Sequence, residues 1–318
     1  MTMRFLVILC GLVLNGCGHL RPAPKDALRG PGSATLPIYR NPVSKDKIFV
    51  EVRLHEGPPR IFLIDTGSSL SVVSRDLALE LGLKLQPRSS TLVGVAGRTG
   101  WIAATLPEVR LGRFLLTDQE VAVGVKGIPS HVGLVPMDGV LGNDVLRHFQ
   151  VEVDYPGQSL RLSRPGEQEQ PGHAVPLYFD GQHPKAQVRI TARNGAGHTV
   201  DQSALLDVDT GATGVLLMGP STRGLEAVSV PTETRLQGVG SSSPIDIDAR
   251  DVSIVSAELG GRRVDGSFQA QWIGAEQPPH RAPERMPGLL GHQILKGHRV
   301  FIDYPAKRFA LTESTGSA

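Results

Sequence analysis

The sequence predicts an all-β protein, mainly strands with a few short helices, built from two similar lobes. Aromatic residues make up only 5% of the chain, whereas glycine and proline are frequent, at 37 and 24 residues. This composition favours many strands and turns over long helices. Three short motifs also occur twice, in the same order and with nearly equal spacing. A repeat of this length indicates a duplicated domain and not a solenoid of short units.

The duplicated motifs are an Asp-Thr-Gly tripeptide, an apolar-apolar-Gly triplet and an Asp-Tyr-Pro tripeptide. Each Asp-Thr-Gly follows an apolar run typical of a strand, Ile61 to Ile64 in one half and Ala204 to Val208 in the other. One copy alone is weak evidence, because three common residues often coincide in surface turns. The matched surroundings make the pair informative. The motifs are Asp65-Thr66-Gly67 and Asp209-Thr210-Gly211, Val140-Leu141-Gly142 and Leu289-Leu290-Gly291, and Asp154-Tyr155-Pro156 and Asp303-Tyr304-Pro305.

Composition and turn residues suggest the limits of the two lobes. A hairpin is expected before each Asp-Thr-Gly, with turns at Glu56 to Pro59 and at Asn194-Gly195. A polar, turn-rich stretch between the halves predicts a linker. The predicted segments are a signal peptide (1–16), a lipidated cysteine with a flexible tether (17–35), the first lobe (36–163), the linker (164–173) and the second lobe (174–314).

Helix is expected in three short places. Ser74 to Leu81 has a plausible N-cap in Ser74 and a stop in Gly82. The residues after each apolar-apolar-Gly triplet, Asn143 to His148 and His292 to Lys296, are also predicted to form short helices.

From these residues, the chain resembles the two-lobed aspartic proteases of the pepsin and retropepsin superfamily, and most closely a fused pair of retropepsin-like lobes. The resemblance spans about residues 36 to 313. It implies two lobes related by a pseudo-twofold axis, with a cleft between them. It also implies that Asp65 and Asp209 are the catalytic residues, and that the triplets, with Leu141-Gly142 and Leu290-Gly291, support their loops.

Two carboxylates held a few ångströms apart cannot both ionise readily, so they share one proton. The ionised carboxylate can then activate a water, while the protonated one polarises the carbonyl of the substrate. The neighbouring residues are expected to fix this geometry. Thr66 and Thr210 would hydrogen-bond across the two loops, and Gly67 and Gly211 would turn tightly and offer N–H groups to the carboxylates.

The residue after each Asp-Thr-Gly differs, Ser68 in the first half and Ala212 in the second. By resemblance, a hydroxyl here donates a hydrogen bond to the neighbouring carboxylate. We therefore expect Asp65 to be the more acidic member of the pair, and the pH optimum to be mildly acidic.

Two glycine-rich turns lie equally far after the two aspartates, and the resemblance implies flap hairpins that cover the site. Trp101 could replace the flap tyrosine familiar from pepsin, although an ordinary packing role fits equally well. The flap candidates are Gly94, Val95, Ala96 and Gly97 in the first half and Gly238, Val239 and Gly240 in the second.

Other functions find little support. The net charge of +2 gives no indication of nucleic-acid binding. His280, His292 and His298 lack zinc-site spacing, so no metal and no cofactor are predicted. Asp207 departs from the family pattern, which is apolar two residues before the catalytic aspartate. We expect Asp207 to face solvent or to be hydrogen-bonded, because two alternating carboxylates do not make a cation site.

The N-terminus resembles a bacterial lipoprotein signal. Arg4 precedes an apolar run from Phe5 to Leu14, which is too short to span a bilayer as a helix. The run ends in Leu14-Asn15-Gly16-Cys17, and the signal implies cleavage before Cys17 and lipidation of that residue. A plain signal peptide with an incidental cysteine is the alternative. The expected location is the cell envelope, at the outer membrane and facing the periplasm.

The sequence thus favours an aspartic endopeptidase that acts on peptide or protein substrates outside the cytoplasm. We expect a monomer with an internal pseudo-dimer. Two alternatives remain open: a non-catalytic peptide-binding or scaffold lipoprotein on the same fold, and a homodimer in which like lobes pair between chains.

Overall fold

The fold is mainly β, as the sequence predicts. The computed structural model describes residues 4–7, 28–39, 46–87, 89–132, 135–274 and 288–313. Across these ranges, strands predominate over three short α-helices and one 3₁₀ helix. No helix among the described residues is long and apolar enough to cross a membrane.

The first half of the chain contains most of its short strands. The elements in chain order are β1 (Arg4–Val7), β2 (Leu28–Arg29), β3 (Ser33–Pro37), β4 (Phe49–Leu54), β5 (Pro59–Ile64), β6 (Val72–Val73), α1 (Arg75–Glu80), β7 (Ser89–Gly94), β8 (Gly97–Leu111), β9 (Phe114–Val123), β10 (His131–Val132), β11 (Val135–Pro136), β12 (Gly139–Leu141), α2 (Asn143–Leu146), β13 (Gln150–Asp154) and β14 (Ser159–Ser163).

The second half repeats this plan with longer strands. Its elements are β15 (Val175–Asp180), β16 (His183–Arg193), β17 (Thr199–Val208), β18 (Val215–Met218), the 3₁₀ helix Pro220–Val228, β19 (Val230–Gln237), β20 (Ile245–Leu259), β21 (Arg262–Ile273), β22 (Gly288–Leu290), α3 (His292–Leu295), β23 (Arg299–Asp303) and β24 (Arg308–Thr312).

The two hairpins predicted before the Asp-Thr-Gly motifs are present. Strands β4 and β5 pair antiparallel, and so do β16 and β17. In β4, inward residues such as Val50 and Val52 are fully buried, whereas the alternate residues Glu51 and Arg53 are exposed. This alternation is what a pleated strand with one face on a core requires. The hairpins therefore deliver both aspartates from packed, rigid strands.

The lobes are joined by a sheet to which both contribute. Strand β13 of the first lobe pairs antiparallel with β23 of the second, with Gln150 opposite Asp303 and Asp154 opposite Arg299. The register is symmetric, because these two strands lead into the two copies of Asp-Tyr-Pro. The repeat thus forms a pseudo-twofold axis within one chain, and one large apolar core runs through both lobes.

The predicted helices occur where the sequence places them. The hydroxyl of Ser74 accepts a hydrogen bond from Leu77 N at 3.0 Å, so Ser74 is the N-cap of α1. Gly82 follows with φ of +59°, which suits a glycine at a helix end. Short helices α2 and α3 follow the two triplets.

The flexible tether predicted over residues 17–35 is too long. Residues 28–35 include β2, which pairs with β9, and most of β3, which pairs with β14. Ala34 and Leu36 of β3 are buried, and the guanidinium of Arg164 donates to the carbonyls of Leu28 and Pro31. Because this stretch is rich in proline and glycine, its short alternation of buried residues does not stand out as a strand in the sequence.

Strand β1 lies inside the predicted signal peptide. Its backbone pairs in parallel with the outer edge of β19, with Arg4 opposite Thr234 and Val7 opposite Gln237. Cys17 lies outside the described residues, so the signal peptide and the lipidation remain predictions.

Candidate active site

Matched backbone supports hold the two aspartates. Strand β12 lies parallel to β5, and Leu141 O accepts a hydrogen bond from Asp65 N at 3.0 Å. Strand β22 lies parallel to β17, and Leu290 O accepts from Asp209 N at the same distance. The two triplets therefore lie where the sequence predicts them, directly beside the aspartate loops.

Threonine side chains join the two loops across the pseudo-twofold axis. Thr66 N donates to Thr210 Oγ1 at 3.1 Å, and Thr210 N donates to Thr66 Oγ1 at 3.0 Å. Each hydroxyl then donates to a carbonyl of the opposite lobe, that of Val208 at 2.5 Å and that of Ile64 at 2.9 Å. Four reciprocal bonds in a buried site fix the spacing of the loops and hence of the carboxylates.

Each glycine of the motif contacts both carboxylates. Gly67 N donates to Asp65 Oδ1 and Gly211 N to Asp209 Oδ1, both at 2.8 Å. A Cβ at Gly67 would lie 2.4 Å from the Asp209 carboxyl carbon, and one at Gly211 would lie 2.4 Å from that of Asp65. Neither glycine is among the residues with positive φ. Glycine is therefore required here because the opposite carboxylate leaves no room, and not because of a special turn.

The two carboxylates are buried and interact electrostatically. Asp65 and Asp209 are 0% and 1% exposed. Burial raises the pKa of Asp209 well above its usual value, and the neighbouring charge of Asp65 raises it further. The cation of Lys47 opposes this shift, whereas Asp207 adds to it. These effects favour a single proton shared by the two carboxylates.

The expected role of Ser68 is wrong. Its hydroxyl donates to Leu70 O at 2.7 Å, within its own turn. A hydroxyl has one proton to donate, so Ser68 cannot also donate to Asp65. The difference between Ser68 and Ala212 therefore does not make the two carboxylates unequal.

The flap candidates lie at the tips of two hairpins, and these tips meet each other. The first hairpin joins β7 to β8 through Val95 and Ala96, and the second joins β19 to β20. Ala96 N donates to Val239 O at 3.0 Å. A Cβ at Gly94 would lie 2.2 Å from Val239 O, and one at Gly240 would lie 2.3 Å from the Gly97 backbone. The close approach of the two tips explains their glycines.

Each flap tip packs on the opposite lobe. Val239 belongs to an apolar cluster of the first lobe, and Val95 to a cluster of the second. Trp101 is 3% exposed and lies in the cluster around Val239, so it packs against the opposite tip. We define the first-lobe cluster by Phe49, Leu63, Leu70, Val72, Leu92, Trp101, Ala103, Ala122, Met137, Val140 and Val239, and the second-lobe cluster by Val95, Ala212, Leu216, Met218, Leu236, Ala249, Ile273 and Leu289.

Sequence reasoning missed a basic side chain on each side of the lobe interface. Lys47, 4% exposed, donates to Gly211 O at 2.7 Å and to Thr213 Oγ1 at 2.9 Å. At the equivalent place in the second lobe, His183 Nε2 lies 2.6 Å from Ser69 Oγ. Lys47 also lies 3.0 Å from Asp46. Both lie at or just before the first strand of a hairpin, but no motif marks them.

The repeated tyrosines reach the bases of the aspartate loops. Tyr304 OH donates to Asn143 Oδ1 at 2.6 Å, and Asn143 Nδ2 donates to Thr66 O at 2.7 Å. In the other lobe, the rings of Tyr155 and His292 meet edge to face, 5.2 Å apart. Burial lowers the pKa of His292 to about 4, so its ring is neutral near pH 7. The Asp-Tyr-Pro repeat thus supports the loops from below.

Asp207 does not face solvent. It is 2% exposed, and its Oδ1 lies 2.7 Å from Lys185 Nζ. That ion pair also removes the reason to consider a cation site there. Among the described residues, no group of three or more His, Cys, Asp or Glu side chains is placed to hold a metal ion.

A family match agrees with this geometry. Residues 50–145 match the family model described as Aspartyl protease, which covers Asp65 and the first triplet but less than half of the chain. A search of curated proteins found no match. Among solved structures, a retropepsin-like aspartic protease from Rickettsia conorii is similar at 19% identity, over 43% of this chain and 93% of that chain, with a TM-score of 0.31. The family match and the paired loops confirm the aspartic protease fold, and the match supports aspartic protease activity in general.

Proposed function

We propose that the protein is an aspartic endopeptidase in which Asp65 and Asp209 together activate one water for attack on a peptide bond. The observation that carries this proposal is the reciprocal threonine bonding, which brings two buried carboxylates against the glycines of the opposite loops. Two groups in such an arrangement titrate as a pair and hold one proton between them over a wide pH range.

The chemistry follows from a pair that shares one proton, which we assign to Asp209 before the reaction. The carboxylate of Asp65 removes a proton from water, and the resulting hydroxide attacks the carbonyl carbon. At the same time, the proton on Asp209 passes to the carbonyl oxygen, which gives a neutral gem-diol. Asp65 then returns its proton to the leaving nitrogen, and Asp209 takes a proton from the diol as the C–N bond breaks. The products are an acid and an amine, and the pair regains its starting state.

The burial of both aspartates supports this mechanism. Exclusion of bulk water strengthens each charge interaction in the site and leaves the attacking water between two fixed carboxylates. The flaps must open to admit an extended peptide, because their tips contact each other and the opposite lobe.

The alternative of a non-catalytic binding protein loses one of its two supports. It was motivated by Asp207 and by the missing flap tyrosine. Lys185 pairs with Asp207, and the charge of Asp207 affects the pKa of Asp209 less than the charges of Asp65 and Lys47 do.

Cleavage of a broad peptide library tests the proposed function. The full-length protein in mild detergent should cut a reproducible subset of peptides, and Asp65→Asn and Asp209→Asn should each abolish cutting. Equal activity in all three proteins would contradict the dyad. A protein that cuts nothing and does not bind a statine-type transition-state mimic would instead favour the binding module.

We further propose that one chain forms the whole site and that Cys17 anchors it by lipid to the outer membrane, facing the periplasm. Both carboxylates come from one chain, which supports a monomer. The anchor rests on the sequence alone. Solution mass would test the first point. Metabolic labelling with a fatty acid, which Cys17→Ser should abolish, would test the anchor, and membrane fractionation would test the location.

A further inference from the structure

Beside each aspartate loop lies a row of side chains that face the same way across paired strands. In the first lobe, Phe49 pairs with Leu63, Leu63 with Val140, Val140 with Val72, and Val72 with Ala122. Register partners share a face of the sheet, so the five side chains form one continuous strip. All five belong to the apolar cluster that Val239 covers.

The second lobe has the same row with different chemistry. Lys185 pairs with Asp207, Asp207 with Leu289, Leu289 with Leu216, and Leu216 with Gln271. Only the two leucines belong to the apolar cluster that Val95 covers. The apolar pair Phe49 and Leu63 is thus replaced by the ion pair of Lys185 and Asp207, and Ala122 by Gln271.

This ion pair is buried but keeps hydrogen-bonding capacity. Lys185 is 5% and Asp207 is 2% exposed. Their closest atoms are 2.7 Å apart, yet Asp207 Oδ1 receives no well-directed hydrogen bond from any described residue. In the part of the chain that is described, the ammonium of Lys185 has no second side-chain partner. Buried polar groups are normally satisfied, so groups left like this are suited to receive a ligand.

The pair also lies next to the reacting groups. Asp207 is two residues before Asp209 on the same strand, and alternate residues of a strand share a face. Its first-lobe equivalent, Leu63, belongs to the same apolar cluster as Val239 at the tip of the opposite hairpin. A substrate side chain next to the scissile bond would therefore meet Phe49 and Leu63 in one half-site, and Lys185 and Asp207 in the other.

We propose that the second-lobe half of the cleft selects a substrate side chain that both donates and accepts hydrogen bonds, with the carboxamide of Asn or Gln as the best fit, whereas the first-lobe half takes a large apolar side chain. This proposal rests on the proposed peptidase function. The amide oxygen would accept from Lys185 Nζ, and the amide N–H would donate to Asp207.

The chemistry of the pair disfavours the other classes of side chain. An apolar side chain would bury the pair without satisfying it, and sites built for hydrogen bonds reject such analogues strongly. A charged side chain would add an unbalanced charge to a buried, net-neutral pair. The sequence repeat thus produces two half-sites with opposite preferences.

The test compares selectivity and not absolute rate. Full-length protein in detergent is given peptides that vary at the two residues flanking the cleaved bond. At one of these positions, wild type should prefer Asn or Gln to Leu by at least about tenfold in kcat/KM. The variant Lys185→Met with Asp207→Leu, which gives the second lobe an apolar pair like that of the first, should reverse this preference.

An ion pair on the same hairpin supplies a matched control. Arg189 and Asp201 are about half exposed and 3.1 Å apart. Arg189→Met with Asp201→Leu should leave the profile at both positions unchanged. Thermal unfolding of each variant verifies that it is folded.

A second variant is useful if the double variant does not fold. Asp207→Asn keeps the volume but leaves the charge of Lys185 unbalanced, so Glu and Asp should gain about tenfold over Gln at the same position. An unchanged profile in a folded variant, or a wild type that prefers apolar residues at both positions, would overturn the inference while cleavage itself upholds the peptidase. No cleavage by wild type, or cleavage by the Asp65→Asn and Asp209→Asn variants, would instead overturn the proposed function and this inference with it.

Discussion

The two lobes have the same backbone plan, and they differ in the side chains placed on it. Each lobe has a hairpin, an aspartate loop, a supporting triplet and a flap at equivalent positions. Around them, Lys47 in the first lobe corresponds to His183 in the second, and Asn143 corresponds to His292. The comparison teaches that duplication preserved the loops that must be equal, while the surroundings diverged.

The largest difference lies beside the aspartates. Phe49 and Leu63 form an apolar pair in the first lobe, and Lys185 and Asp207 form an ion pair in the second. The charge of Asp207 raises the pKa of Asp209, and the cation of Lys47 opposes it. Residues outside the Asp-Thr-Gly motifs therefore modify the pKa of Asp209, in addition to the larger effects of burial and of Asp65.

The loops themselves should respond equally to the same change. A methyl group at Gly67 or Gly211 would press on the carboxylate of the opposite lobe. Gly67→Ala and Gly211→Ala should each lower kcat/KM by about 100-fold, because such a displacement misplaces the reacting groups. Gly195→Ala is the control, since nothing lies within 4 Å of a Cβ there. A large loss in one variant alone would show that the pseudo-symmetry does not extend to the carboxylates.

The threonine bonds should contribute equally to stability from the two sides. Thr66→Val leaves Thr210 N without its acceptor and Val208 O without its donor. Thr210→Val likewise leaves Thr66 N without its acceptor and Ile64 O without its donor. Each variant should lose about 2 to 4 kcal/mol of unfolding free energy, because buried unsatisfied groups cost about 1 to 3 kcal/mol each. Chemical denaturation measures this loss. Thr199→Val, at an exposed position, should change stability by less than about 0.5 kcal/mol.

Asp144 in the first lobe should make the stability of the protein depend on pH. The equivalent residue of the second lobe is Gln293. Burial raises the pKa of Asp144 to about 6 from 3.8. Between these values the folded state keeps a proton that the unfolded state loses, so stability falls as pH rises from about 4 to about 6. Asp144→Asn should therefore stabilise the protein by about 1 to 3 kcal/mol at pH 7, and by little at pH 4.

The hydrogen bonds of Asp144 permit this substitution. Ser71 Oγ and Val145 N donate to Oδ1, which an asparagine keeps as an acceptor. Gln119 Nε2 faces Oδ2 at 3.3 Å, and its unpaired Oε1 can accept from the new amide after a flip. Thermal unfolding at pH 4 and pH 7 provides the measurement. A stabilisation equal at both pH values would exclude titration of Asp144 as its cause.

The smallest effect is expected where the two motifs differ. Ser68 donates to Leu70 O and not to a carboxylate. Ala212→Ser should therefore leave the acidic limb of the pH–rate profile within about twofold of wild type, since no charge interaction changes. A clear shift of that limb would mean that a hydroxyl at this position does reach Asp209.

Local patterns predicted much of this arrangement. Alternating apolar residues located the hairpins, Ser74 located the start of α1, and equal spacing located both flap tips. The paired aspartates followed from the duplication, because a repeat that places one motif in each lobe brings the copies together at the axis.

The sequence alone does not show which distant residues contact each other in the fold. The sequence leaves open whether Asp207 faces solvent or is hydrogen-bonded, because its partner Lys185 lies on the preceding strand and no motif marks it. The sequence also does not show that the hydroxyl of Ser68 donates to Leu70 O within its own turn. Strand β3 was read as tether because its neighbours are glycine and proline. Each of these outcomes depends on which residues meet in space.

A double-mutant cycle on the dyad tests the proposed single site most directly. Peptide hydrolysis is measured for wild type, Asp65→Asn, Asp209→Asn and the double variant. Groups that act as one unit are strongly non-additive, so each single variant should lose nearly all of the activity that the double variant loses. Single losses that multiply to give the double loss would contradict the proposal that both lobes form one active site.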